Sequence, residues 1–236
     1  MYKKLSKIKN SLIFQYKKNK TKFKKMERVE RISIITLGDT EVGKTSIIKR
    51  IYDGSFQEIM FTTANHYNDF SVKRKYTKKN ITIDLRFRDT AGQERFQKSL
   101  SPNYIRNSNI VLLVFCDVET LNTVRERWYN FYKENANIEK SRFILVANKS
   151  DIFGEEKEEI NRQGEVFAEE INAHFITCSA KSRDNIDTLE EIIVNEAKGL
   201  IDSRENSRNQ RRQIQSNNQN VNLNERKNEK KDNICC

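Results

Sequence analysis

RISIITLGDTEVGKTSIIKRIY, residues 31–52, decides the fold class of this chain. Its first seven residues alternate and then run apolar, as a buried strand does, and its last seven carry Ile47, Ile48 and Ile51 at helical spacing. Between them GDTEVGKT, residues 38–45, has the spacing of a phosphate-binding loop. Gly38 and Gly43 let the backbone curl so that successive N–H groups, through Glu41, Val42 and Gly43, turn inward toward phosphate oxygens. Lys44 adds a mobile positive charge, and Thr45 adds a hydroxyl for Mg²⁺. Glu41 occupies a place where small residues are common, and its carboxylate is expected to face solvent. Strand, glycine loop and helix in that order point to a nucleotide-phosphate site on an α/β sheet.

Two more loops follow apolar runs, and they name the base. RFILVA (142–147) leads into NKSD (148–151), and HFITC (174–178) leads into SAK (179–181). Guanine carries an exocyclic amine and a protonated N1, so a carboxylate that accepts from both selects it by a bidentate pair. Asp151 is the candidate. Asn148 would reach the base N7 and tie the loops together, the stem of Lys149 would lie along the ring, and the Ala180 N–H, between Ser179 and Lys181, would serve the guanine O6. A site built on such bonds rejects bases that leave them unpaired. A third element, DTAGQERF (89–96), follows the alternating run ITIDLRFR. There Asp89 can hold Mg²⁺ through water, Gly92 can offer its N–H to a terminal phosphate, and Gln93 can orient an attacking water.

With these motifs in order, the chain resembles the Ras superfamily of small GTPases over roughly residues 28–199, and DTAGQERF with YIRNS (104–108) looks like the Rab family. SLSPNYIRNS, from Ser99, is reminiscent of the Golgi-associated branch. The resemblance implies GTP and GDP as ligands, Mg²⁺ as cofactor, and slow hydrolysis with Gln93 as the catalytic residue. It also implies an exchange factor, an activating protein, a GDP-dissociation inhibitor or escort protein, and effectors. Thr63 matches the family's switch threonine, which would join Thr45 and Asp89 around the metal, although Thr62 is an adjacent rival. The neighbourhood departs from the family pattern: TANHYNDF places Phe70 two residues later than usual. Arg88 stands where the family has a Trp that forms an effector-binding aromatic triad with the equivalents of Phe70 and Tyr104, so an altered effector set is expected.

The 236 residues carry a net charge of +11, but unevenly: the lysines before Met26 hold +10, the tail from Leu200 holds +3, and the core between them is −2. A neutral core with basic ends favours a membrane surface over nucleic acid as partner. Three regions result: a basic extension (1–27), a GTPase domain (28–199) and a hypervariable tail (200–236). The domain is expected to be α/β, a doubly wound, mostly parallel six-stranded sheet with helices on both faces and ligand loops at the strands' carboxyl ends. Strands are expected at 31–37, 68–77, 81–89, 110–117, 142–147 and before SAK, and helices at 46–52, within 90–107, and at 120–135, 161–172 and 187–198.

Of four cysteines, Cys116 and Cys178 lie in strand-like runs and read as small buried hydrophobes. Cys235 and Cys236 end a polar segment that reads as a disordered tether. Together they resemble the double geranylgeranylation signal of Rabs, and two lipid chains suffice for stable anchoring. The expected location is the cytoplasmic face of an intracellular membrane, Golgi-type by the branch resemblance, with a cytosolic pool. The lysine-rich extension admits three readings: a membrane-surface helix, a targeting segment, or a stretch upstream of a functional start at Met26. His66 and His174 lack metal-spaced partners, and Trp128 with Phe131 and Tyr132 reads as packing. Against the GTPase switch stands a pseudo-GTPase, a nucleotide-locked, membrane-tethered interaction module; NKSD disfavours an ATP-using P-loop kinase.

Overall fold

A computed structural model describes residues 28–56, 69–90 and 105–232, with side chains to 215. Thr63, Gly92, Gln93, Tyr104, Cys235, Cys236 and the extension through residue 27 lie outside the described residues. The strands are β1 (Arg28–Leu37), β2 (Asp69–Tyr76), β3 (Ile81–Arg88), β4 (Ile110–Phe115), β5 (Arg142–Ala147) and β6 (His174–Thr177). They form one six-stranded sheet in the order β2-β3-β1-β4-β5-β6, antiparallel between β2 and β3 and parallel elsewhere. The main helices are α1 (Lys44–Asp53), α2 (Val118–Thr123), α3 (Tyr129–Asn135), α4 (Lys157–Glu170) and α5 (Ile186–Asp232).

Alternation along the strands builds two apolar layers, one on each face of the sheet, as the doubly wound expectation requires. In β1, Ile32 and Ile34 enter the layer that contains Ile47 and Ile48 of α1 and Leu189 and Ile193 of α5. Ile35 and Leu37 enter the other, with Leu121, Trp128 and Phe167. All of these side chains are at most 2% exposed, and each contributes about 1.5–3 kcal/mol by leaving water.

The strand order reverses at β1, whose neighbours β3 and β4 lead away on opposite sides, so a crevice opens at the carboxyl end of β1 where the glycine loop sits. β1 begins three residues before the expected start. Over Arg28–Ser33 it pairs with β3 while β4 pairs only from Ile34, so its polar first residues keep access to water. β4 stops at Phe115 rather than running to residue 117, because Asp117 caps α2: its Oδ1 accepts from the Thr120 N–H at 2.7 Å, and Thr120 Oγ1 accepts from the Asp117 N–H at 3.1 Å. α4 begins at Lys157, earlier than expected, with Glu158 and Glu159 complementing its positive end.

α5 runs far past the expected end at Lys198, through the segment read as a tether. Leu200 and Ile201 still belong to the core, and Asp202 and Glu205 bind Lys79, at 2.6 and 2.5 Å. No glycine or proline follows Gly199, and the residues beyond are largely Arg, Gln, Glu, Lys and Asn, so nothing in them breaks a helix already nucleated by packing. Cys178 is buried as expected, but Cys116 is half-buried, its thiol donating to Asp117 Oδ2 at 3.3 Å. Among the described residues no helix is long and apolar enough to cross a membrane, and no cluster of His, Cys, Asp and Glu is arranged to hold a metal. His174 Nε2 lies 2.9 Å from the carboxylate of Glu196, contributed from α5.

Candidate nucleotide site

The glycine loop is held in its curl by contacts that its sequence alone cannot show. Gly43, at φ 90°, caps α1, and a Cβ there would meet Asn148 Nδ2 at 2.2 Å; a side chain would be excluded by both conformation and space. At Gly38 a Cβ would meet the Val114 carbonyl oxygen at 2.1 Å. Glu41 is exposed, as expected, and takes the left-handed conformation at φ 64°, which costs a non-glycine residue about 1 kcal/mol. Val42 is fully buried.

Lys44 is buried, and its amine donates to the carbonyls of Gly38 at 3.0 Å and Asp39 at 2.5 Å. Burial pushes the amine down to about 8, against the pull of the Asp89 and Asp39 carboxylates. Beside it, Thr45 Oγ1 donates to Asp89 Oδ2 at 2.6 Å. Asp89 is fully buried, and its other oxygen, Oδ1, has no hydrogen-bond partner among the described residues. Burial raises the carboxyl above the usual carboxylate range, with the Thr45 bond and the Lys44 charge opposing. A hydroxyl beside a buried carboxylate with a spare oxygen suits a hard, oxygen-seeking divalent cation, so these residues fit Mg²⁺. Sequence-matched Thr63, the third expected metal contact, lies outside the described residues.

The two base-side loops meet this one through Asn148. Its Nδ2 donates to the Val42 carbonyl at 2.8 Å, and its Oδ1 accepts from the Ala180 N–H at 3.1 Å. Asn148 therefore ties the loops together as expected, while the Ala180 N–H, expected to serve a guanine O6, is engaged by Asn148. Lys149 adopts a left-handed conformation at φ 66°, and the exposed Asp151 follows. Asp151 Oδ1 accepts from Ser179 Oγ at 2.5 Å, and Ser179 Oγ accepts in turn from the Ser182 N–H at 3.1 Å. Ser179 thus orients the carboxylate and anchors the loop that carries Lys181.

Arg50, which carries no motif of its own, braces this loop from α1. Its Nε donates to the Ala180 carbonyl at 2.8 Å and its Nη2 to the Lys181 carbonyl at 2.8 Å. Nη1 donates to the Gly54 carbonyl at 2.7 Å, and the guanidinium carbon lies 5.5 Å from the centre of the Phe56 ring. Only a basic residue near the end of α1 hints at this role in the sequence; its partner Ala180 stands 130 positions away in the chain.

The β2–β3 register sets which faces Phe70 and Arg88 occupy. Asp69 pairs with Arg88 and Phe70 with Phe87. Side chains alternate across a sheet, so Phe70 shares the inner face with Phe87, packs against the core and meets the Tyr52 ring at 5.3 Å. Phe70 and Arg88 therefore lie on opposite faces and cannot form one patch. On the outer face Asp84, nearly buried, accepts from Ser71 at 2.6 Å and Arg86 at 3.0 Å, and Arg31 lies 3.8 Å away. That face is polar and charged.

Compared with known families, residues 33–199 match the model of the Ras family.

Proposed function

This chain belongs to the Ras family of small GTPases, and from that premise we propose that it is a Rab-type switch, which binds GTP, hydrolyses it slowly to GDP and recruits partners at an intracellular membrane in the GTP state. The observation that carries the reading is the junction of Lys44, Thr45 and Asp89 beneath the glycine loop, with the Asp89 Oδ1 left for a cation.

In this reading the loop N–H groups and Lys44 receive the phosphates, and Asp151 accepts from the guanine amine and N1. Thr45 and Asp89 would hold Mg²⁺, which supplies positive charge against the phosphate oxygens. Gln93, assigned from its motif, orients a water for in-line attack on the γ-phosphorus while Gly92 steadies the terminal phosphate. The P–O bond to the β-phosphate breaks, and Lys44 stabilises the charge that accumulates on the leaving diphosphate. Thr63 would report the γ-phosphate to the first switch. An exchange factor, an activating protein and an escort protein complete the cycle, and lipids on Cys235 and Cys236 place it on a Golgi-type membrane. The charged outer face of β2 and β3 supports an effector set unlike that of relatives with an aromatic patch there.

Single-turnover hydrolysis of GTP tests the catalytic half: wild type should turn over and Gln93→Leu should be at least about tenfold slower. Equal near-zero rates, with and without an activating protein, would favour the nucleotide-locked interaction module. Membrane partition of the full chain with and without Cys235 and Cys236 tests the anchoring half.

A further inference from the structure

Between α2 and α3 the helix widens into a π-helical turn, Val124–Trp128, in which the Tyr129 N–H donates to the Val124 carbonyl five residues back. VRERW contains neither glycine nor proline, so local sequence does not impose the irregularity, and such turns tend to occur where a side chain must be re-aimed for function. One added residue rotates the remainder of the helix by about 100° around its axis. The residue that closes the turn is Trp128, 1% exposed, and its indole Nε1–H donates to Asp39 Oδ1 at 2.7 Å. Asp39 is the second residue of the glycine loop, and its backbone carbonyl is one of the two that hold Lys44.

We infer that Trp128, aimed by the π-turn, is a positioning residue for the phosphate loop: the indole fixes Asp39, and Asp39 fixes Lys44. This role rests on the guanine-nucleotide reading of the site and adds to it a support that reaches the loop from the far layer of the core. The neighbouring contacts keep the turn in place. Val124 is buried, and the Arg125 guanidinium lies 4.9 Å from the centre of the Phe167 ring and 3.6 Å from Glu170 of α4. Packing alone would make Trp128 an ordinary core residue; the hydrogen bond to Asp39 is what a phenylalanine could not supply.

Trp128→Phe keeps an aromatic ring in the core and removes the donor. In the full chain, release of a fluorescent GDP should accelerate about tenfold, the effect of one lost buried hydrogen bond to a carboxylate, while single-turnover cleavage changes by less than about threefold. Asp39→Ala should accelerate release similarly, and the double variant should be no faster than either single one. Asp39→Asn retains an acceptor and should release more slowly than Asp39→Ala, a comparison that remains open if Trp128→Phe does not fold. Ile160→Val, in the same layer but outside the contacts that hold the turn, should lower the melting temperature without altering release. Unchanged release in Trp128→Phe and Asp39→Ala, or effects that multiply in the double variant, would overturn the role. If Asp151→Ala still weakens GDP in that case, the guanine reading survives without it; if wild type fails to bind GDP at all, both fall.

Discussion

The guanidinium of Arg50 grips the carbonyl of Ala180 at 2.8 Å, so the helix that begins at the phosphate loop also clamps the loop expected to face the base. The same fork holds the carbonyls of Lys181 and Gly54. Arg50→Ala leaves those carbonyls without their charged donor and should speed GDP release at least about tenfold while lowering stability by about 2 kcal/mol. Lysine can satisfy one carbonyl but not the fork, so Arg50→Lys should fall between. Stopped-flow release of labelled GDP and urea denaturation measure the two effects; release at the wild-type rate in Arg50→Ala would remove the clamp.

Lys44 gives the ligand site a pH dependence. Its amine sits near 8 in the free protein, below its ordinary 10.5, because of burial; a phosphate placed beside it favours the charged form and draws the value back up. Binding therefore takes up protons near pH 8. Affinity for GDP should be fully present well below pH 8 and should decline as pH rises above it, by at most about tenfold per unit. In the free protein the sign is opposite: the unfolded chain holds the proton more tightly, so stability should increase between pH 8 and 10.5, by up to about 3 kcal/mol from this group. Calorimetry in buffers of different ionisation enthalpy measures the uptake, and Lys44→Met should abolish it.

As a ligand of Mg²⁺, Asp89 would make the site dependent on a divalent cation. Its carboxyl is raised by burial, so this group's contribution to stability is greatest at low pH and is lost as pH rises through its folded value. Mg²⁺ should reverse that loss in the nucleotide-loaded protein and raise its melting temperature. Asp89→Asn keeps an acceptor for Thr45 and removes the charge; a melting temperature as sensitive to Mg²⁺ as that of wild type would argue against the assignment.

The register of β2 on β3 puts the packed Phe70 and the charged outer face on opposite sides of the sheet. Phe70, packed against Tyr52 and the core, should cost about 2 kcal/mol when changed to Ala, less than a fully buried ring, and should leave partner capture by the GTP-loaded protein intact. Reversing charge on the outer face with Arg88→Glu, which leaves the Asp84–Arg86 bond in place, should reduce that capture at least about tenfold without a matching loss of stability. The opposite pattern, with capture lost in Phe70→Ala alone, would restore an aromatic recognition surface.

The parts of this molecule visible in its sequence are those where a loop ends an apolar run. GDTEVGKT, NKSD and SAK each follow such a run, so their position at one edge of the sheet comes from strand alternation alone. The features that escaped depend on pairs distant in the chain. Arg50 meets Ala180, and Trp128 meets Asp39, 89 residues away; neither partner leaves a local signal. The two-residue shift of Phe70 is visible as a spacing, yet which face it reaches is fixed by pairing with Phe87, which only the assembled sheet supplies. The tail's polarity argued against a fold, but helix continuation needs no apolar face once α5 is seated by Ile193, Ala197 and Ile201.

That continuation changes what the end of the chain can do. Far along α5, Arg208 still stands beside Glu30 of β1, at 4.0 Å, and from there to Asp232 the helix extends by about 36 Å. A coil of the same length would let the domain wander around its attachment point, with reach but no bearing. A rod gives it an orientation. A lipid attached just beyond Asp232 would hold the nucleotide cleft at a set stand-off and turn one chosen side of the sheet toward the bilayer, so geometry as well as affinity would govern which partners on that surface can meet it.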